Sequence, residues 1–489
     1  MNELEKILNI NFPKDTRLSF ATNSSHKVKK NTIFFGLPGT NNHGSKFCKD
    51  AIDLGAALAV HNDPKYKTFD KNIFYVEDLD KKIVSFLDAL YDVDINSNNF
   101  FAFTGTNGKT TAAYLCHQLL TSMNYDSIYI GTLGIQYNNN DINKSFSLKT
   151  TPDIFELYEI IQSLNFSLDS ISICIEISSH ALDQGRLKGV GWLNSTSILN
   201  ITSDHMEYHK NIDRYKAAKF EIFKFQSSLK LIDDESYKYS DSYDFLKNVD
   251  YKLSVISKEN IFSDIFYKIR EISLKKTIFE IFINKSPNGY GKNGKKKFKF
   301  SCNIFPEFNI HNLVFAICSI GVDEFVENQT NDLNFLKLPK GRVEIIKNIP
   351  SNVIIDYAHN PRAVSHLLKG IKKYYDNLVV VMGCGGDRDK SKRAKMLSAA
   401  IKSSSKIFFT SDNSRSEDFE LIFEDAIKNN DIENVVKIKD RKEAIIHASK
   451  RISKNDCLVI LGKGHEQTQE EKDEIKFFSD HEVVNEIYK

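Results

Sequence analysis

Short apolar runs alternate with stretches of helical apolar spacing along most of the chain. In the first ninety residues, Thr32-Ile33-Phe34-Phe35-Gly36 reads as a strand and Pro38-Gly39 as a turn. Residues 47–54 carry helical spacing, and 57–60 form a second strand. The polar stretch 92–99 reads as a linker. After it, Phe100-Phe101-Ala102-Phe103 is a buried strand that runs straight into a glycine-rich turn, and residues 109–122 resume the helical pattern. Strand and helix signals alternate through Leu199, with 171–177 the clearest inner strand. A further unit begins near Leu338, with strands at 353–355, 378–381, 407–409 and 458–460, each ending in a polar, charged or glycine-rich loop. Such alternation predicts βαβ units and mostly parallel sheets, whose ligand sites gather at the carboxyl ends of the strands. The expected fold class is α/β in three domains: 1–92, 93–337 and 338–489. Residues 227–300 are poorer in signals. There the basic segment 288–297, between the apolar run 278–283 and Phe298-Lys299-Phe300, reads as a solvated hairpin tip rather than a nucleic-acid patch.

Composition narrows the class. A chain of 489 residues suits about three domains, and 41% hydrophobic with 27% charged residues argues against global disorder. Lys and Arg total 66 against 64 Asp and Glu, so a generally basic nucleic-acid coat is excluded and no nucleic-acid partner is expected. Seven scattered cysteines without a C-x-x-C pair argue against a disulfide framework or a structural zinc site. The N-terminus has no basic region followed by an apolar stretch, and no run approaches the ~18 apolar residues of a membrane span. A soluble, cytoplasmic protein without a membrane span is the expectation.

Candidate chemistry starts at the glycine-rich turn. Thr104-Gly105-Thr106-Asn107-Gly108-Lys109-Thr110-Thr111 follows a strand and opens a helix. Its glycines let backbone N–H groups turn inward, and the helix N-terminus adds positive potential. Lys109 would reach the β- and γ-phosphates of a nucleotide, and the Thr110 hydroxyl would ligate Mg²⁺. The loop is shorter than G-x-x-x-x-G-K-[ST]. Glu176, at the end of a buried strand, needs a partner or a metal in that position. The stretch 200–209 holds Asp204, His205, Glu207 and His209, followed by a helix at 216–220 that contains Lys219. By spacing alone these residues fit zinc ligands, a hydrolase base or a polar loop.

The constellation resembles the Mur ligase superfamily of ATP-dependent amide-forming enzymes, and within it the UDP-N-acetylmuramoyl-L-alanyl-D-glutamate ligases that add the third peptide residue in peptidoglycan synthesis. The landmarks span nearly the whole chain: 104–111, Gly131-Thr132-Leu133-Gly134, Thr150-Thr151-Pro152, 176–182 with Gln184 and Arg186, and Asp204-His205 with Lys219. The last third adds Gly341-Arg342, Asp356-Tyr357-Ala358-His359, 383–389, Asp412-Asn413-Ser414-Arg415 and Gly462-Lys463-Gly464-His465-Glu466. The resemblance implies an N-terminal UDP-binding α/β domain, a central P-loop ATPase domain with a mostly parallel sheet, and a C-terminal Rossmann-like domain that binds the amino acid. It also implies a monomer acting on small molecules, with ATP and Mg²⁺ as cofactors and a carbamylated Lys219. Residue by residue, it implies that Gly105, Thr106, Asn107, Gly108, Lys109, Thr110 and Thr111 hold ATP. Glu176 and Thr110 would stand near a first metal, and His205 with carbamylated Lys219 near a second. Asn312, Arg342 and Asp356 would lie on the adenine and ribose side, with His359 near the phosphates. Ser24, Thr150, Thr151, Ser178, Gln184 and Arg186 would hold the UDP-muramoyl-dipeptide, although Asn23-Ser24-Ser25 replaces the usual Asp-Ser-Arg and Pro306 replaces a usual glycine.

The amino acid added is read from the loop after the third C-terminal strand. Diaminopimelate-adding relatives resemble Asp-Asn-Pro-Arg, whereas lysine-adding ones lack the arginine. Asp412-Asn413-Ser414-Arg415 keeps the arginine and loses the proline. Proline stiffens a loop, but arginine makes the bidentate contact to a distal carboxylate. The expectation is therefore meso-diaminopimelate, held by Arg388, Asp412, Asn413, Arg415, Gly462 and Glu466, with L-lysine as the alternative. A folylpolyglutamate synthase-like ligase is a second alternative. It predicts no UDP-binding N-terminal unit and no Arg388/Arg415 pair. A scaffold that has lost catalysis predicts erosion of Lys109, Glu176, His205 or Lys219, and all four are present.

Overall fold

A computed structural model describes residues 2–39, 42–142, 149–164, 171–247, 253–285, 296–328, 331–472 and 474–489. Most of the basic segment 288–297 lies outside them. The strands that would flank it are present: Thr277–Ile283 pairs antiparallel with Lys296–Cys302, Ile283 opposite Lys296.

Among the described residues the strands form three main sheets. The first is parallel, in the order Phe20–Thr22, Thr32–Gly36, Leu58–His61, Ile73–Tyr75. The second has eleven strands. Its parallel centre runs Ile265–Ile272, Ser254–Lys258, Gln226–Asp233, Trp192–Ile198, Asn99–Thr104, Ser172–Glu176, Ser127–Gly131, and antiparallel strands flank both edges. The third has six strands, with Asn352–Asp356, Cys457–Leu461, Leu378–Met382, Lys406–Phe409 and Val435–Lys437 parallel and the short Glu344–Ile345 antiparallel at its edge. A separate hairpin, Thr468–Glu471 with Glu474–Phe477, follows the last parallel strand.

The unbroken apolar run of the strand Asn99–Thr104 is explained by burial on both faces. Phe100 and Ala102 join one core with Ile130, Ile175 and Phe155; Phe101 and Phe103 join another with Leu115, Leu119 and Phe315. The first core extends into the N-terminal sheet through Ile33 and Phe35, whose ring lies 5.0 Å from that of Phe155. The second is capped by the helices Lys109–Ser122 and Glu307–Ile320, both buried over most of their circumference. No helix among the described residues is long and apolar enough to cross a membrane.

Candidate active site

The carboxyl ends of the central and C-terminal sheets face one cleft of about 1120 Å³. The strand Asn99–Thr104 delivers the glycine-rich loop to its floor, between the ends of Ser172–Glu176 and Trp192–Ile198. Gly108 caps the helix Lys109–Ser122 at φ +90°, and a Cβ there would come within 2.3 Å of Asn312 Oδ1, so only glycine fits. Asn200 clamps the loop: its Oδ1 accepts from Asn107 N (3.0 Å), its Nδ2 donates to Asn107 O (2.9 Å), and its own carbonyl accepts from Thr106 N (2.9 Å). The Thr106 hydroxyl meets Thr202 O and the Tyr215 hydroxyl, each at 3.0 Å.

Two lysines converge on the same carbonyl. Lys109 Nζ donates to Gly105 O at 2.9 Å and Thr106 O at 3.1 Å, and Lys219 Nζ donates to Gly105 O at 2.9 Å and Thr104 Oγ1 at 3.3 Å. Lys219 is 1% exposed. Burial, reinforced by the Lys109 charge, holds its amine well below the usual lysine range, and burial lowers Lys109 as well. Tyr215 packs its ring 4.9 Å from Lys219 Nζ and 6.4 Å from the His205 ring. His205 sits at φ +56° with Nδ1 3.5 Å from Glu207 Oε1.

Glu176 is fully buried, and every contact to its carboxylate is a donor. Thr110 Oγ1 (2.9 Å) and Thr132 Oγ1 (3.2 Å) donate to Oε2; the Tyr129 hydroxyl (2.5 Å) and Thr132 N (2.8 Å) donate to Oε1. A Cβ on Gly131 would fall 2.1 Å from Oε1, which explains the glycine. The Thr110 hydroxyl and the Glu176 carboxylate are hard oxygen donors side by side, a donor set that fits Mg²⁺.

The C-terminal unit closes the other wall. Arg342 stacks 4.3 Å over the Tyr357 ring and extends Nη2 to within 3.4 Å of Thr110 Oγ1, so its guanidinium lies against the first turn of the helix that follows the phosphate loop. Asn360 Nδ2 donates to Asn107 Oδ1 (3.0 Å) and Asp204 Oδ2 (3.4 Å). The Asp356 carboxylate accepts from Val343 N and Ala358 N, both at 2.7 Å, while burial raises its pKa. His359 shares a hydrogen bond with Tyr357 O at 2.9 Å, and burial lowers its pKa. At the far end, Asn413 Nδ2 donates to Glu466 Oε2 (3.0 Å), and Lys463, 0% exposed, bridges Asn413 Oδ1 (3.0 Å) and Glu466 Oε2 (3.1 Å). Gly462, at φ +111°, leaves room for Asp412, whose Oδ2 a Cβ would meet at 2.3 Å. Arg388 and Arg415 line the same end.

Four expected contacts fall outside the cleft lining. Gly105 turns its carbonyl to the two lysines. Thr151 is 0% exposed and spends its hydroxyl on the backbone, donating to Glu176 O and accepting from Ser178 N, each at 2.9 Å. Gln184 is engaged by Arg186 Nε (2.9 Å) and donates to the Tyr208 hydroxyl (3.3 Å). Ser24 lies in the N-terminal unit beside Asn23, which donates to Asp153 Oδ2 at 3.1 Å. The remaining expected residues, Thr150, Ser178 and Arg186 among them, do line it. Sequence reasoning missed Asn200, Tyr129, Tyr215, Asn360 and Lys463. Of these, Lys463 and Asn200 stood inside stretches already singled out, 462–466 and 200–209.

Comparison with known proteins agrees with this geometry. The Mur ligase middle domain matches residues 103–320 and the Mur ligase glutamate ligase domain matches residues 341–464. The UDP-N-acetylmuramoyl-L-alanyl-D-glutamate--2,6-diaminopimelate ligase of Clostridium perfringens is 31% identical over 99% of this chain and 96% of its own length. That of Wigglesworthia glossinidia brevipalpis is 33% identical over 95% and 93%. A solved structure of a ligase with the same name superposes with a TM-score of 0.65 at 26% identity, covering 99% of this chain and 98% of the other. A folylpolyglutamate synthase from Thermotoga maritima shares the fold at a TM-score of 0.53 and 18% identity, but covers only 78% of this chain and 89% of its own. With a phosphate loop, a buried carboxylate and paired lysines at one end of the cleft, and with similarity running nearly from end to end, the chain belongs to the Mur ligase family of ATP-dependent amide-forming enzymes.

Proposed function

We propose that this ligase adds meso-2,6-diaminopimelate to UDP-N-acetylmuramoyl-L-alanyl-D-glutamate at the expense of ATP, in the assembly of peptidoglycan precursors. The relatives of Clostridium and Wigglesworthia carry that activity in their names. The observation that carries the reading is one cleft with Lys109, Glu176 and Lys219 at one end and Arg415 and Glu466 at the other. In this reading residues 1–92 grip the UDP moiety, 93–337 hold ATP, and 338–489 hold the amino acid.

The chemistry follows from what a carboxylate is. It resists attack by an amine because oxide is a very poor leaving group. A carboxylate oxygen of the substrate therefore attacks the γ-phosphorus, ADP departs, and an acyl phosphate remains. The amine then attacks the acyl carbon and loses a proton. The tetrahedral adduct collapses to an amide, expelling phosphate that carries the former carboxylate oxygen. Here the first-turn amides of Lys109–Ser122 cradle the phosphates. Lys109 exchanges its two carbonyl partners for phosphate oxygens, and Arg342 supplies a second positive charge near Thr110. Thr110 and Glu176 would hold Mg²⁺, which when bound neutralises phosphate charge. Lys219 enters through its depressed basicity: a neutral buried amine is the form that adds CO₂, and a carbamate would present oxygens where an ammonium repels cations. His205 would complete that second position. Ser178 and Arg186 on the lining receive the muramoyl-dipeptide, and Thr150 stands beside them. Asn312 and Asp356 border the nucleotide from behind the loop.

The test is phosphate release with ATP, the muramoyl-dipeptide nucleotide and, in turn, diaminopimelate, lysine and ornithine. Release is expected with diaminopimelate, together with transfer of labelled oxygen from the peptide carboxylate into the phosphate. Release with none of the three overturns the reading.

A further inference from the structure

Arg415 does not offer a free guanidinium to the cleft. Its Nη1 donates to Gly386 O (2.8 Å) and Asn413 O (3.3 Å), and its Nε lies 3.1 Å from Glu470 Oε2. Among the described residues, Nη2 has no polar partner, and Nε has only the ion pair with Glu470. A carboxylate that binds arginine in the two-pronged manner needs two adjacent donors, either Nε with Nη2 or Nη1 with Nη2. Glu470 occupies the Nε of the first pair and the two carbonyls occupy the Nη1 of the second. An incoming carboxylate therefore takes Nη2 alone or displaces Glu470.

The competitor's side chain is partly exposed, but its backbone is fixed against the loop. Glu470 belongs to the strand Thr468–Glu471, which lies along the specificity loop. Its N–H donates to Asn413 Oδ1 (3.0 Å), its carbonyl accepts from Arg415 N (3.0 Å), and Gln469 Nε2 donates to Asp412 O (2.9 Å). These bonds also fix the loop that lacks the stiffening proline. With its backbone held on both sides, the Glu470 carboxylate stays beside Arg415 at small entropic cost.

We propose that Glu470 is a specificity-determining residue: an internal carboxylate that competes with the distal carboxylate of the incoming amino acid for Arg415 and, in its absence, neutralises that arginine. This rests on the diaminopimelate reading above. A diamino acid without the distal carboxylate, such as lysine, would otherwise leave an unpaired guanidinium in the cleft, and that penalty is what excludes it. Glu470 removes the penalty and weakens the reward for diaminopimelate, so the native chain discriminates less than its arginine alone would dictate.

The experiment compares kcat/KM for diaminopimelate and for lysine in the native protein, in Glu470→Gln and in Glu471→Gln, whose target pairs with Lys439 instead. Glu470→Gln should lower KM for diaminopimelate and raise the diaminopimelate-to-lysine ratio by roughly tenfold or more, the scale of one charge-assisted hydrogen bond. Glu470→Ala should shift the ratio in the same direction, Glu471→Gln should leave it within about twofold of native, and Glu470→Gln placed on Arg415→Ala should no longer move it. A ratio unchanged in Glu470→Gln, with the native protein turning over either acceptor, overturns this inference alone. No turnover of either acceptor by the native protein removes the diaminopimelate reading and this inference with it.

Discussion

Thr151→Val separates a threonine that touches substrate from one that braces the site. The substitution keeps shape and volume and removes only the hydroxyl. That hydroxyl donates to Glu176 O and accepts from Ser178 N at 2.9 Å each, and the residue is 0% exposed, so water cannot replace either bond. A buried polar group left without its partner costs about 1–3 kcal/mol. Two such groups put the expected loss at ~2–4 kcal/mol once modest relaxation is allowed. For a unit of this size each kcal/mol shifts Tm by about 2–4 °C, so the melt should fall by roughly 5–15 °C. Because the same bonds fix the end of the strand that carries Glu176 and the turn that carries Ser178, kcat should fall as well. The assays are a thermal melt and steady-state phosphate release over a range of muramoyl-dipeptide concentrations. An unchanged melt with a higher KM for that substrate, and with kcat intact, would refute the bracing role and return Thr151 to the substrate surface.

The buried pair Arg441–Asp480, with both side chains at 0% exposure and two bonds of 2.8 Å, supports the carbonyl of Leu461 beneath Gly462. Asp480→Asn should cost about 3–5 kcal/mol in urea unfolding, and Arg441→Leu combined with Asp480→Leu should cost less than that single change. Burial, ahead of any neighbouring charge, pushes the Asp233 carboxyl up from 3.8 to about 7. An acid raised on folding stabilises fully below its unfolded pKa, and that stability is lost as pH rises through the folded value. Asp233→Asn should therefore leave stability in urea unfolding unchanged near about pH 4 and raise it above about pH 8, by at most ~4 kcal/mol; an equal shift at both pH values would contradict the assignment. Lys219→Ala should abolish phosphate release, with no recovery on adding bicarbonate; a loss smaller than about tenfold would remove Lys219 from the reaction.

What the sequence disclosed was local. The phosphate loop was legible because a strand, two glycines, Lys109-Thr110 and a helix fall within a dozen residues. Glu176 stood out as an acid closing an apolar strand, but its partners Tyr129 and Thr132 reach it only through the pairing of Ser127–Gly131 with Ser172–Glu176. Thr151 could not be resolved from sequence because a hydroxyl in a motif looks the same whether it faces a ligand or, as here, a carbonyl. The three-residue strands Phe20–Thr22 and Ile73–Tyr75 are too short for a period of two to register. Most of 227–300 escaped for another reason. Its strands mix parallel and antiparallel pairing, and the alternation of Ile265–Ile272 dissolves into charge beyond Tyr267 as the strand leaves the core.

The strand Asn99–Thr104 has no idle face, since its successive residues serve two different cores. Sliding it by one position would send every one of its side chains into the wrong interior at once. The glycine-rich turn starts one residue later, so its position is pinned from both sides of the sheet before any nucleotide arrives. A substitution in the hairpin and loops around Arg415 therefore leaves the placement of that turn untouched.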